Sequence, residues 1–226
     1  MKKIVCFLVG IMISLSATAQ WIPFIRVPDK QKQMELQDLG IDVQIMGNIA
    51  TTTYDMVFFN PNDKTLEGEM IFPMTQNQTV VAMALDINGK MRAASAVDKD
   101  EARRIFEQQV RRNIDPALIE KIAGNQYKMR IYPFNPKGTR RIQITTEENL
   151  KVKNNEMTLS IPLTYNKKLD HFGVRLNVVQ DISEMPKVKT DFENFAFAQK
   201  NQHLTASCIN NLFFRCGQCK FQRIIK

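Results

Sequence analysis

From residue 41 onward, apolar side chains recur at every second position and the runs are cut by turn residues, so the chain is built to bury one face of extended strands. Ile41, Val43 and Ile45 alternate with Asp42 and Gln44 before Gly47-Asn48. Residues 50–59 are rich in threonine and aromatics and end at Asn60-Pro61-Asn62-Asp63, where proline removes a backbone donor and presets a turn. Residues 66–72 run to Pro73. Val81, Met83, Leu85 and Ile87 make another alternating face, and Asn88-Gly89 then gives the strongest short hairpin signal, because both residues tolerate the positive φ of a type I′ turn. A return strand is expected from Lys90 to about Val97. Later strands are expected at Tyr127, Met129 and Ile131, at Ile142 and Ile144 after the Asn135-Pro136-Lys137-Gly138 turn, at 157–163 and at 172–179. The expected fold is an antiparallel β-sandwich.

One segment departs from period two. Asp98 with Glu101 makes a capping-box-like start, and Ala102, Ile105, Phe106, Gln109 and Val110 recur at helical spacing. Acids lead and Arg111-Arg112 close, matching the helix dipole. The pattern predicts one embedded amphipathic helix over about 98–112, with residues 117–122 as a further short turn.

The first twenty residues carry a different message. Lys2-Lys3, an apolar run of about a dozen residues and Ser16-Ala17-Thr18-Ala19-Gln20 make a three-part secretion leader, with cleavage expected between Ala19 and Gln20. The run is short of the roughly 18 residues of a spanning helix. The expected product is an exported chain, in the periplasm, at the cell surface or secreted, with no integral membrane segment in its mature part.

Removing the leader leaves 29 basic against 23 acidic residues, dispersed rather than striped, so nucleic acid is not an expected partner. Cys208, Cys216 and Cys219 all lie near the C-terminus, and the body of the chain must hold together by its core rather than by disulfides. The Cys216-Gly217-Gln218-Cys219 spacing is half of a zinc site without the other half, and no metal or other cofactor is expected. Catalytic patterns are equally sparse. His171 and His203 have no motif-spaced partners, no serine sits in a nucleophile elbow, and the nine glycines form no phosphate cradle. Glu147 and Glu148 are strand neighbours that point to opposite faces.

Several of these segments, in order, resemble the VIT domain (vault protein/inter-α-trypsin). They are Asn60-Pro61, then Glu67-Gly68 and Phe72-Pro73, then Asn88-Gly89 followed by Ala102 and Phe106, and finally a closing block from 115 to Leu150. Thr146 stands where the family often has tyrosine. The resemblance covers about 40–150 and implies a non-enzymatic module that binds protein partners or scaffolds them in the cell envelope. The organisation expected is a leader at 1–19, a lead segment at 20–39, the VIT-like domain at 40–150, a further strand tract at 151–199 and an atypical cysteine-containing basic tail at 200–226, disordered or a truncation artefact. The von Willebrand factor A domain that commonly follows in the family is not expected here, since Asp181-Ile182-Ser183-Glu184-Met185 lacks the second serine of its metal motif. Two alternatives stand beside this reading: a carbohydrate-binding or glycosidase-like sandwich, and a truncated fragment of a longer VIT–von Willebrand A protein.

Overall fold

A computed structural model describes residues 23–28, 30–75, 77–93, 117–122, 126–154, 156–161, 169–179, 187–189, 197–200, 203–210 and 219–224. The expected helix at 98–112, with Ala102 and Phe106, lies outside these residues, as do Ala19 and Gln20.

Among the described residues, sixteen strands follow in chain order: β1 (Phe24–Arg26), β2 (Glu35–Met46), β3 (Ile49–Phe59), β4 (Leu66–Pro73), β5 (Gln78–Ile87), β6 (Lys90–Ala93), β7 (Ala117–Ile122), β8 (Gln126–Phe134), β9 (Thr139–Asn149), β10 (Val152–Lys153), β11 (Glu156–Ile161), β12 (His171–Val179), β13 (Lys187–Lys189), β14 (Ala198–Lys200), β15 (His203–Asn210) and β16 (Cys219–Ile224). They form an eight-stranded sheet ordered β14-β15-β12-β2-β3-β9-β5-β6 and two four-stranded sheets, β1-β4-β8-β7 and β10-β11-β16-β13.

The alternation read from the sequence decides which side of the large sheet is buried. Leu39, Ile41, Val43 and Ile45 of β2, and Tyr54, Met56 and Phe58 of β3, face inward, as do Ile142 and Ile144 of β9. Met70, Phe72, Met129 and Ile131 on the inner side of β4 and β8 close against them. Tyr54 and Phe72 meet edge to face at 5.2 Å across this layer, a favoured aromatic geometry. The core is therefore a sheet-on-sheet sandwich with interdigitating side chains.

Three expectations are corrected. The sandwich is not wholly antiparallel: β12 lies parallel to β2 over nine paired residues, His171 opposite Asp38 through Val179 opposite Met46. Residues 117–122 are a strand paired antiparallel with β8, not a turn; their apolar residues do not alternate, so the sequence carries no strand signature there. Val81 does not join the inward face of Met83 and Leu85, because a register shift between Val80 and Ala82 opposite β9 turns it outward, leaving it 48% exposed. A bulge adds one residue to one strand and moves the side chains beyond it to the other phase.

The C-terminal stretch, which lacks obvious alternation, also enters the fold. β15 pairs with β12 over eight residues, and Leu204 and Ala206 are buried. The period is there, but alanine carries half of it. Cys208 lies in β15 and Cys219 opens β16, whereas Cys216 lies outside the described residues.

Candidate functional site

Several of the family-like residues that the structure describes sit at turns and packed positions. Asn60 is wholly buried, and its Nδ2 lies 3.0 Å from each of three carbonyl oxygens, those of Lys64, Phe134 and Asn135. Its Oδ1 accepts from the backbone N–H and the side-chain amide of Asn62, both at 3.0 Å. Pro61 supplies a carbonyl to Lys137 Nζ at 2.8 Å. Gly68 is glycine for want of space: a Cβ there would lie 2.4 Å from Ile25 Cγ2 and 2.9 Å from Phe134 Cε2. Glu67 points outward beside it, and Pro73 ends β4. Asn88 and Gly89 both take positive φ, 54° and 78°, as the I′ hairpin between β5 and β6 requires. Leu150 is buried, and its N–H donates to the Asn48 carbonyl at 2.7 Å.

Chemistry collects instead on the outer face of the large sheet. Register places side chains there in rows that cross the strands about 7 Å apart, twice the strand rise. The first row holds His171, Asp38, Val57 and Arg141, the second Gly173, Gly40, Asp55 and Gln143, and the third Arg175, Asp42, Thr53 and Thr145. Each row continues from β12 through β2 and β3 to β9. The charges are paired within and between rows. His171 Nδ1 meets Asp38 Oδ1 at 2.8 Å, and Arg175 NH1 donates to Asp42 Oδ2 at 3.2 Å. Asp55 accepts from Arg141 Nε at 2.8 Å and from Gln143 Nε2 at 2.9 Å. Burial pushes the Asp55 carboxyl up, but the hydrogen bonds from Arg141 and Gln143 and the guanidinium charge outweigh it and hold the group below the usual carboxylate range. The same pairing raises Arg141.

Between the first and third rows lies an open groove of about 670 Å³, lined by both ion pairs, by the Asp55 cluster and by the backbone of Gly40 and Gly173. Exposed ion pairs add only about 0–1 kcal/mol each. Their consequence is positional: they fix where donors and acceptors stand around the groove.

Along the same face the character changes. Asn177, Gln44 and Thr51 form the fourth row, and Val179, Met46 and Ile49 the fifth. Met46 is 65% exposed and Ile49 47%, at the hairpin between β2 and β3. The Leu150–Asn48 hydrogen bond ties Leu150 to this hairpin, and two residues on, Val152 is also more than half exposed, between exposed Lys151 and Lys153.

Glu148 lies on the opposite face from exposed Glu147, as strand geometry requires, but it is not solvated like its neighbour. Burial raises its carboxyl, partly offset by Gln78 Nε2 at 3.0 Å. Burial, and then the Glu148 charge, push the Tyr54 phenol well above its ordinary value. Among the described residues, no three His, Cys, Asp or Glu side chains converge as a metal site.

With this geometry in place, the family-model comparison matches residues 36–146 to the vault protein inter-alpha-trypsin domain. The chain is a VIT-domain protein. The match spans β2 to β9, so Asp38, Gly40, Asp42, Asp55 and Arg141 belong to the VIT domain while His171, Gly173 and Arg175 lie beyond it. No curated protein matches the chain. Among solved structures, a candidate nutrient-binding protein of Legionella pneumophila superposes with a TM-score of 0.55 at 11% identity, over 88% of this chain and 69% of that one. A mutant M1 zinc metallopeptidase from Deinococcus radiodurans gives 0.47 at 10% identity, over 83% and 42%. The first is a likeness of fold, and the second is looser still. This chain spans less than half of the metallopeptidase.

The charged rows escaped sequence reading because their partners are distant: His171 and Asp38 are 133 residues apart, as are Arg175 and Asp42. His171 read as a surface histidine, and it is exposed; its aspartate partner had no local signal.

Proposed function

We propose that this VIT-domain protein is exported and acts without catalysis, as a protein–protein interaction or scaffolding module in the cell envelope. The observation that carries the reading is the apolar row at the β2–β3 hairpin. Met46 and Ile49 stand side by side in solvent at the β2–β3 hairpin. Contiguous exposed apolar side chains rimmed by polar ones mark interaction sites, and long unbranched Met adapts to a partner's contour. The groove favours recognition over turnover: its carboxylates are held in ion pairs, and the raised Glu148 sits on the other face of the sheet. The leader signature at 1–20 supports export.

The test is capture from an envelope fraction by the exported chain and by a Met46→Asp/Ile49→Asp double variant. Proteins retained by the first and lost from the second support the reading, with a loss of about 30-fold expected if one side chain is an anchor. Identical retained sets would overturn it. Intact mass of the exported product should place its first residue at Gln20.

A further inference from the structure

The bed of the outer-face groove is made of two glycines, Gly40 of β2 and Gly173 of β12, directly opposite each other in the parallel pairing. Glycine inside a strand costs stability and leaves nothing to pack, so it calls for a reason. Gly68 has one in the clash described above. Gly40 does not: a Cβ there would meet only Asp55 Cβ at 3.6 Å and the Asp55 carbonyl at 3.9 Å, ordinary contact distances, and its φ is not in the left-handed region. The remaining use of a missing side chain is to let something else reach the backbone.

The walls say what that is. Two residues to one side of the bed stand Asp38 and His171, two residues to the other Asp42 and Arg175, and Asp55 closes the end toward β3. Each of the three carboxylates already has a partner, a guanidinium for Asp42 and Asp55 and an imidazole nitrogen for Asp38. A charged ligand would have to displace one of these partners. A neutral ligand displaces none. A paired carboxylate keeps unused lone pairs, and a paired guanidinium keeps unused N–H groups, so each wall offers an acceptor beside a donor. Adjacent hydroxyls on a ring, each both donor and acceptor, match that pattern. The volume of about 670 Å³ lies within the range of small-ligand sites.

We infer that the Gly40–Gly173 trough is a binding site for neutral sugar rings, lying flat on the exposed backbone and hydrogen-bonded through vicinal hydroxyls to the Asp38–His171 and Asp42–Arg175 pairs. This goes beyond the protein-docking proposal and does not rest on it, since the apolar row lies at the other end of the face.

The probes are methyl glycosides of glucose, galactose, mannose and N-acetylglucosamine, with glucuronate and a Lys-Glu dipeptide as charged controls, followed by saturation-transfer NMR on the full exported chain. At least one neutral glycoside should bind below about 10 mM. Gly173→Val and Gly40→Thr, which fill the bed, should weaken it at least about tenfold, while Met46→Asp leaves it unchanged. Gly40→Thr should also unfold at the same or a higher urea midpoint than the parent, because no contact forbids the side chain. The inference is overturned if no neutral glycoside binds at that concentration, if a charged control binds more tightly, if the filled variants bind as the parent does, or if Gly40→Thr is destabilised. Loss of protein capture in the Met46→Asp/Ile49→Asp variant with sugar binding intact would separate the two sites.

Discussion

Replacing Asn60 by alanine should be among the most destabilising single changes outside the apolar core. The side chain is 0% exposed and ties three chain segments together: the end of β3, the 60–66 loop and the β8–β9 turn. Alanine removes two N–H donors shared among three carbonyl oxygens and the acceptor that holds the buried Asn62 N–H. Each buried polar group left without a partner costs about 1–3 kcal/mol. The Asn62 N–H and the buried Phe134 carbonyl are the two with least access to water, which puts the loss at about 4 kcal/mol. That is a large share of the roughly 5–15 kcal/mol that holds a folded domain. The assay is urea unfolding followed by circular dichroism. With a slope of about 2–3 kcal/mol/M, the midpoint should fall by about 1.3–2 M. Asn62→Ala loses its bonds to the part-buried Lys32 carbonyl and N–H and should fall by less than half as much. A shift under about 0.5 M for Asn60→Ala with an unchanged slope, or a larger shift for Asn62→Ala, would refute the argument that this amide holds the turn region together.

Other expectations follow from single contacts. Gly68→Ala should cost about 1–3 kcal/mol through overpacking, and that cost should be smaller when measured in an Ile25→Ala background, which lacks the Cγ2 that the new methyl strikes. Gly89→Ala, at φ 78°, should cost about 1 kcal/mol by urea midpoint. Asp55, depressed in the fold, contributes stability present above its unfolded pKa and lost as pH falls through its folded value; Asp55→Asn should flatten that acid limb. Glu148 has the opposite sign: its carboxyl is raised, so its contribution is fully present below its unfolded pKa and is lost as pH rises through the folded one. Glu148→Gln should therefore lose less stability than the parent between those two pH values, as read from urea midpoints across the acid range.

Local signals read well because their causes are local. The Asn88-Gly89 hairpin depends on two residues that accept positive φ, and both do. The inward faces of β2 and β9 depend on Ile41, Val43, Ile45, Ile142 and Ile144 alternating with polar residues, and all five are buried. Asn60-Pro61 read as a turn, though nothing nearby in sequence reveals that Asn60 binds carbonyls 74 and 75 residues away. Strand 117–122 was hidden because Leu118 and Ile119 are adjacent rather than alternate. The groove was illegible for a topological reason. Its two glycines and its ion pairs come from strands brought together by a parallel crossover, and no pattern within either strand predicts which other strand it joins.

That crossover has a consequence for when the protein becomes able to bind anything on this face. The β2–β3–β9–β5 portion is complete once the chain has been made to about residue 149, whereas β12 takes its place beside β2 only after His171–Val179 exist. Contacts this distant in sequence form late, after their loop-closure entropy has been met. Until then β2 is a bare edge with Asp38 and Asp42 lacking their His171 and Arg175 partners, and half of the groove is missing. The face matures as the last strands dock. During synthesis the outer face of the VIT domain is thus incomplete until a segment from beyond the domain joins it.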